Sequence, residues 1–145
     1  MKIVAHFLLL VFVGSLISCT TDNDEARLHQ SLASLVEAVE DRSVRQVQKY
    51  LTDDFKTTRY ANTQQVKAFM LLHFRQNKVI NVFTSDIQTS IQEEKADVIF
   101  NALVTGSSNW LPERGRRFEV KSRWLKQDDD WKISRINWQE KTGIN

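Results

Sequence analysis

The sequence is poor in the residues that mark special architectures. It has a single cysteine in 145 residues, Cys19, which excludes a disulfide scaffold and any cysteine-cluster zinc site. One proline, Pro112, and four glycines exclude collagen-like and linker-rich chains. No sign of charge dominates: 20 Lys and Arg stand against 18 Asp and Glu, a formal net charge of +2. That balance makes no electrostatic case for nucleic acid. Of three histidines, His6 falls in an N-terminal apolar run, so only His29 and His73 remain as imidazoles and neither metal nor cofactor is expected. No apolar run reaches the roughly 20 residues of a membrane-spanning helix. What remains is ordinary, 41% hydrophobic and 26% charged, which fits one folded domain and not disorder.

Residues 1–18 read as an address. Lys2 supplies one charge, and Ile3 to Ile17 is nearly all apolar, the layout of a secretory signal. The segment ends in Leu16-Ile17-Ser18-Cys19, which resembles a bacterial lipobox. That resemblance implies lipidation of Cys19, which becomes the mature N-terminus. Thr20 in place of an aspartate implies an outer-membrane destination with the domain facing the periplasm. Acyl chains add about 0.8 kcal/mol per buried CH₂, so more than one anchors firmly. Residues 19–24 are then a short linker, expected extended over roughly 17 Å at about 3.4 Å per residue for its last five.

The domain proper is expected over 25–140, with 141–145 as a tail. Leu28, Leu32, Leu35, Val36 and Val39 form one apolar stripe and predict a helix from about Glu25 to Glu40. Ser43 caps a shorter helix carrying Val44, Val47 and Leu51, ended by Asp53-Asp54. Asn62 or Thr63 caps a third helix to about Gln76. It is apolar nearly all round and so is expected to be buried on several sides. From Val79 the period becomes two. Four strands follow as an antiparallel meander, with Glu93-Glu94-Lys95 and Asp128-Asp129-Asp130 as turns and 106–115 as a loop. Val98, Phe100, Ala102, Phe118, Val120 and Trp124 face inward. Helices gathered ahead of strands argue for an α+β layer packing.

The Leu28-to-Val39 stripe, the segment Tyr50-Leu51-Thr52-Asp53-Asp54-Phe55 and the close Trp124 to Ile133 resemble the nuclear transport factor 2-like superfamily, with its SnoaL-like members. The resemblance spans about Glu25 to Trp138. It implies a cone-shaped α+β fold, three N-terminal helices packed on a curved, mostly antiparallel sheet. It also implies that enzymes and non-enzymes are equally at home on the scaffold.

Enzymes of that fold place polar side chains inside the cone, and the resemblance makes His73, with Tyr60 or Asp86, the catalytic candidates. His73 shares the stripe of Val66, Phe69 and Met70, where an imidazole titrating near neutrality could serve as acid or base. Phe69, His73, Phe100, Trp110 and Trp124 are candidates for contacting a small apolar ligand. Arg114, Arg116 and Arg117 are candidates for an anion, since guanidinium groups suit phosphates and carboxylates. Ile99, Leu103 and Leu125 on the second sheet face are compatible with a homodimer interface. The inward positions are apolar and hold no assembled catalytic set. The sequence therefore favours a non-enzymatic module that binds a small ligand or an envelope protein. The alternative is an isomerase-, dehydratase- or hydrolase-like enzyme.

Overall fold

The computed structural model describes residues 19–107 and 114–142. The lipobox-like segment before Cys19, Trp110, Pro112 and the last three residues lie outside them. The chain order is α1 (Cys19–Glu40), α2 (Val44–Lys49), β1 (Leu51–Lys56), α3 (Thr63–Gln76), β2 (Val79–Gln92), β3 (Lys95–Ser107), β4 (Arg114–Gln127) and β5 (Asp130–Glu140).

The stripe on α1 buries as its spacing predicts: Leu28, Leu32 and Leu35 enter the core, and Ala38 joins them. Residues 19–24, however, are already part of the helix, so the expected extended linker is helical. Nothing in Thr20 to Asp24 breaks a helix, and Asp22 suits the positive end of the helix dipole. Asp24 is also held from outside. Lys126 Nζ reaches its carboxylate at 2.7 Å, and the Trp131 indole N–H donates to its carbonyl at 3.1 Å. A helical rise of about 1.5 Å per residue makes this stretch less than half as long as an extended one.

Ser43 caps α2 as expected, its hydroxyl accepting from the Gln46 N–H at 3.3 Å. The helix stops at Lys49, and Leu51 with Asp53-Asp54 belongs instead to β1. The cause is a tertiary ladder: β1 runs parallel to β5, and Ile133 N–H donates to Tyr50 O at 2.7 Å. Asn62 caps α3, accepting from the Gln65 N–H at 3.0 Å. Contrary to the expectation of burial on several sides, α3 buries only Val66 fully and leaves Leu71 and Leu72 about half exposed, at 45% and 53%. It packs through one side, where Phe69 lies 5.1 Å from the Tyr60 ring and 6.4 Å from Trp138.

The sheet has five strands in the order β1-β5-β4-β3-β2, with β2 to β5 forming the expected antiparallel meander. With its helices at the N-terminal side this is the expected α+β cone. Asp128 and Asp129, at φ 50° and 66°, make the two-residue turn between Gln127 and Asp130, the left-handed type that matches strand twist. The β3–β4 ladder runs on to Gly106 opposite Arg114, so the expected ten-residue loop is shorter than 106–115. Gly106 is a packing residue here. A Cβ on it would sit 2.5 Å from Asn77 Oδ1, while Asn77 Nδ2 donates to His73 O at the end of α3.

One sheet face supplies Ala96, Val98, Phe100, Ala102, Val120, Trp124, Trp131 and Ile133 to a single core with the α1 leucines. Helix α1 also covers the edge strand β2. Glu40 Oε1 accepts the Val82 N–H at 2.8 Å, and His29 Nε2 meets Thr89 Oγ1 at 2.9 Å. Those contacts occupy part of an edge that would otherwise invite pairing.

Candidate functional site

The inside of the cone is occupied by its own side chains. Trp124 and Trp131 are 0% and 1% exposed and are the largest fully buried side chains. The Trp124 indole N–H donates to Ser122 Oγ at 2.9 Å, and that hydroxyl donates to Val98 O at 3.1 Å, so the polar handle of the ring is satisfied inside the core. Phe100 is 6% exposed in the same cluster. Phe100 and Trp124, expected to contact a ligand, are therefore packing residues. The alternation that points them inward also buries them against α1.

The polar candidates do not converge. His73 is exposed. It stands on the rim of α3, its ring 4.3 Å from that of Phe69. The Tyr60 ring also lies against Phe69, at 5.1 Å, and among the described residues no hydrogen bond joins Tyr60 to His73. Asp86 is further removed. It sits at a bulge in β2 with φ 52°, a left-handed conformation that aspartate tolerates. Its carboxylate accepts from Asn101 Nδ2 at 2.7 Å and Ser85 Oγ at 3.1 Å. Asn101 alternates with the inward Phe100 and Ala102, so this network lies on the outer face of the sheet. The hydrogen bond from Asn101, then that from Ser85, hold the Asp86 carboxyl below the ordinary aspartate range. Nearby, Lys141 Nζ bridges Asn101 Oδ1 at 3.0 Å and Glu119 Oε2 at 3.2 Å.

The arginine cluster is divided by the strand. Arg116 and Arg117 are neighbours in β4 and not in a loop, so their side chains leave opposite faces of the sheet. Arg116 approaches Glu140 at 4.0 Å. The side chain of Arg114 and all of Trp110 lie outside the described residues. On the outer face Phe83 is 60% exposed and pairs across the ladder with Leu103, with Ile99 nearby at 37%.

The described residues also line open clefts at the surface. One, of about 390 Å³, lies between α1 and the β4–β5 turn and is lined by Arg27, Ser31, Tyr50 and Asp129 among others. The second, of about 500 Å³, lies between β1 and α3 and is lined by Lys56, Thr57, Thr58, Arg59, Tyr60, Ala61 and Gln65. The Arg59 guanidinium carbon stands 5.3 Å from the Trp138 ring centroid. Lys56, Arg59 and Gln65 escape a reading of the sequence because β1 itself is invisible there. Among the described residues no group of three His, Cys, Asp or Glu could hold a metal, and no helix is long and apolar enough to cross a membrane.

The whole arrangement superposes on solved structures. A candidate dehydratase of the NTF2-like family from Streptomyces avermitilis matches 86% of this chain over its own full length, with a TM-score of 0.73 and 13% identity. A candidate scytalone dehydratase from Novosphingobium aromaticivorans matches at TM-score 0.78 and 12% identity, covering 87% of this chain and 89% of that one. The chain has the nuclear transport factor 2-like fold. The Bdellovibrio bacteriovorus protein Bd1075 also superposes, at TM-score 0.75 and 16% identity over 87% of this chain and 45% of that one. Identities this low establish the fold alone. No protein-family model matches the chain, and no curated protein matches it by sequence. The scaffold itself serves many chemistries, so the fold does not name an activity.

Proposed function

We propose that this is a lipid-anchored envelope protein whose NTF2-like domain acts as a non-enzymatic binding or accessory module, meeting its partners at the surface and not inside the cone. The observation that carries the reading is the burial of Trp124, Trp131 and Phe100 in one packed core with the α1 leucines. The separation of His73, Tyr60 and Asp86 supports it, because acid–base work needs groups within hydrogen-bond reach of one reacting atom. The anchor is supported by the lipobox-like end of the leader. An outer-membrane site facing the periplasm follows from Thr20 after that cysteine.

A second copy of the chain is a fitting partner for the outer sheet face. Phe83, Ile99 and Leu103 form an apolar strip there, bordered by the charged network of Asp86, Glu119 and Lys141. The catalytic alternative keeps one supporting feature, the tilted ring contacts of Tyr60 and His73 with Phe69. Native mass spectrometry of the full chain, solubilised gently from membranes, tests the proposal. The expected spectrum shows the lipidated protein, alone or as a dimer, with no apolar small molecule. A stoichiometric apolar ligand, or turnover abolished by His73→Ala, would contradict it.

A further inference from the structure

We infer that the outward face of α3 is a membrane-contact surface, which lays Leu71 and Leu72 on an anionic bilayer and sets the orientation of the domain there. The inference deepens the envelope reading above and rests on the chain being held at a membrane.

Helical spacing and exposure together define the face. Lys67, Leu71 and Arg75 are four residues apart and form one row, with Ala68 and Leu72 as the next row. All five are exposed, while Val66 and Met70 turn the other way, toward the core. Among the described residues α3 is the only helix with large apolar side chains exposed; the others so exposed, Val79, Phe83, Ile87 and Ile99, lie on β2 and β3.

Charge indicates what covers the leucines. From Phe55 to Ser85 the chain has no aspartate or glutamate, although acids make up 18 of its 145 residues. The same stretch has Lys56, Arg59, Lys67, Arg75 and Lys78. No acid of α3 is there to repel an anionic surface, and Lys67 and Arg75 bracket Leu71 one turn away on either side. Glu40, at the end of α1, is engaged with the Val82 N–H at 2.8 Å. Long cationic side chains beside leucine suit the bilayer boundary, where the stems lie along apolar surface and the heads reach the phosphates. Lysine is depleted at protein interfaces, so a protein partner fits this face less well.

The face lies on the side of the molecule that α1 occupies. Phe69 packs near Trp138, which pairs with Val120 on the core face of the sheet. Arg42, just past α1, donates to Asn77 O at 3.4 Å, so α3 ends beside the end of α1. Cys19 is then roughly 30 Å away along α1, at about 1.5 Å per residue. An anchor at Cys19 and a contact at α3 are two separated points that hold the helix side toward the bilayer. Alone, α3 is a single reversible signal, so it orients the domain and does not retain it.

The test uses the full chain, purified from membranes and reconstituted into vesicles of phosphatidylethanolamine and phosphatidylglycerol with acyl chains brominated near the headgroup. A thiol-reactive fluorophore is attached at Ala68→Cys, on the leucine face, or at Gln88→Cys, on the opposite face of the sheet. The parent labelled alike supplies the Cys19 background. Bromine is expected to quench the label at 68 and to spare the label at 88. Leu71→Ser with Leu72→Ser should abolish the quenching; both side chains are exposed, and circular dichroism checks the fold. Lys67→Gln with Arg75→Gln should lower the ratio of docked to free domain by about tenfold or more, since each cation near an anionic surface contributes about fivefold. Phosphatidylcholine vesicles should quench less. Label 68 quenched no more than label 88, quenching that survives loss of both leucines, or equal quenching on phosphatidylcholine overturns the inference. A blue shift of label 68 in native membranes with none in protein-free vesicles assigns the face to a protein partner and overturns it too. Intact mass keeps the two readings apart. An acylated chain with label 68 unquenched loses only this inference, and an unacylated chain with label 68 quenched loses only the lipid anchor.

Discussion

Trp124 and Ser122, two residues apart on one face of β4, share a hydrogen bond of 2.9 Å inside the cone. Ser122 passes the connection to Val98 O on the neighbouring strand. Ring and hydroxyl thus close the cone together: the indole fills the volume, and the serine removes the cost of burying its N–H. Trp124→Ala should destabilise the fold by about 3–5 kcal/mol, the range for emptying a buried aromatic site. Ser122→Ala should cost about 1–3 kcal/mol by stranding the indole N–H. Denaturant unfolding followed by circular dichroism measures both.

Thr52 offers the opposite case. It is 4% exposed in β1, and its hydroxyl has no hydrogen-bond partner among the described residues. Thr52→Val keeps the shape and removes the unpaired oxygen. The expected outcome is a protein as stable as the parent or more stable by about 1 kcal/mol, read from the same unfolding curves. A loss of stability would mean that the hydroxyl is satisfied in solution.

The Asp86 network makes stability depend on pH in a definite direction. Its carboxyl is held low in the folded state, chiefly by the hydrogen bond from Asn101 and then by that from Ser85. Glu119 is held low by Lys141, then by Lys121. For a depressed carboxyl the stabilisation is present above the unfolded-state value and is lost as pH falls through the lower folded-state value. Stability should therefore decline on the acid side of the ordinary carboxylate range. Asn101→Ala should move the Asp86 titration upward, as carboxyl-carbon NMR would follow.

Lipidation makes a prediction about place. Cys19→Ser should release the protein from the membrane fraction and abolish incorporation of labelled fatty acid, while the domain stays folded. Unchanged membrane association without fatty-acid incorporation would point instead to an uncleaved leader.

The α1 stripe, the Ser43 and Asn62 caps and the four-strand meander were legible because each carries a local signal: period 3.6, a side-chain oxygen at the cap, or period 2. Strand β1 was not. Its buried residues, Thr52 and Phe55, are three apart and show no alternation, and only pairing with β5 makes it a strand. Helix α3 misled because composition gives apolarity and not a partner: Leu71 and Leu72 remain exposed. The site was the least legible part. His73 shares a stripe with Phe69, yet it falls at the rim, where the helix leaves the core. Asp86 was moved to the outer face by its place in a bulged strand, which sequence spacing does not encode. Lys56 and Arg59 become neighbours of one cleft only once β1 and α3 are in place.

Hydrogen exchange at the Trp124 indole N–H tests the filled cone most directly. The signal is assigned by its loss in Trp124→Phe, and exchange is measured on the full chain in micelles. A solid core predicts exchange only through global unfolding, with an opening free energy equal to that from denaturant. Exchange far faster than global unfolding, or protection that rises when an apolar compound is added, would show a cone that opens to ligands and would contradict the account.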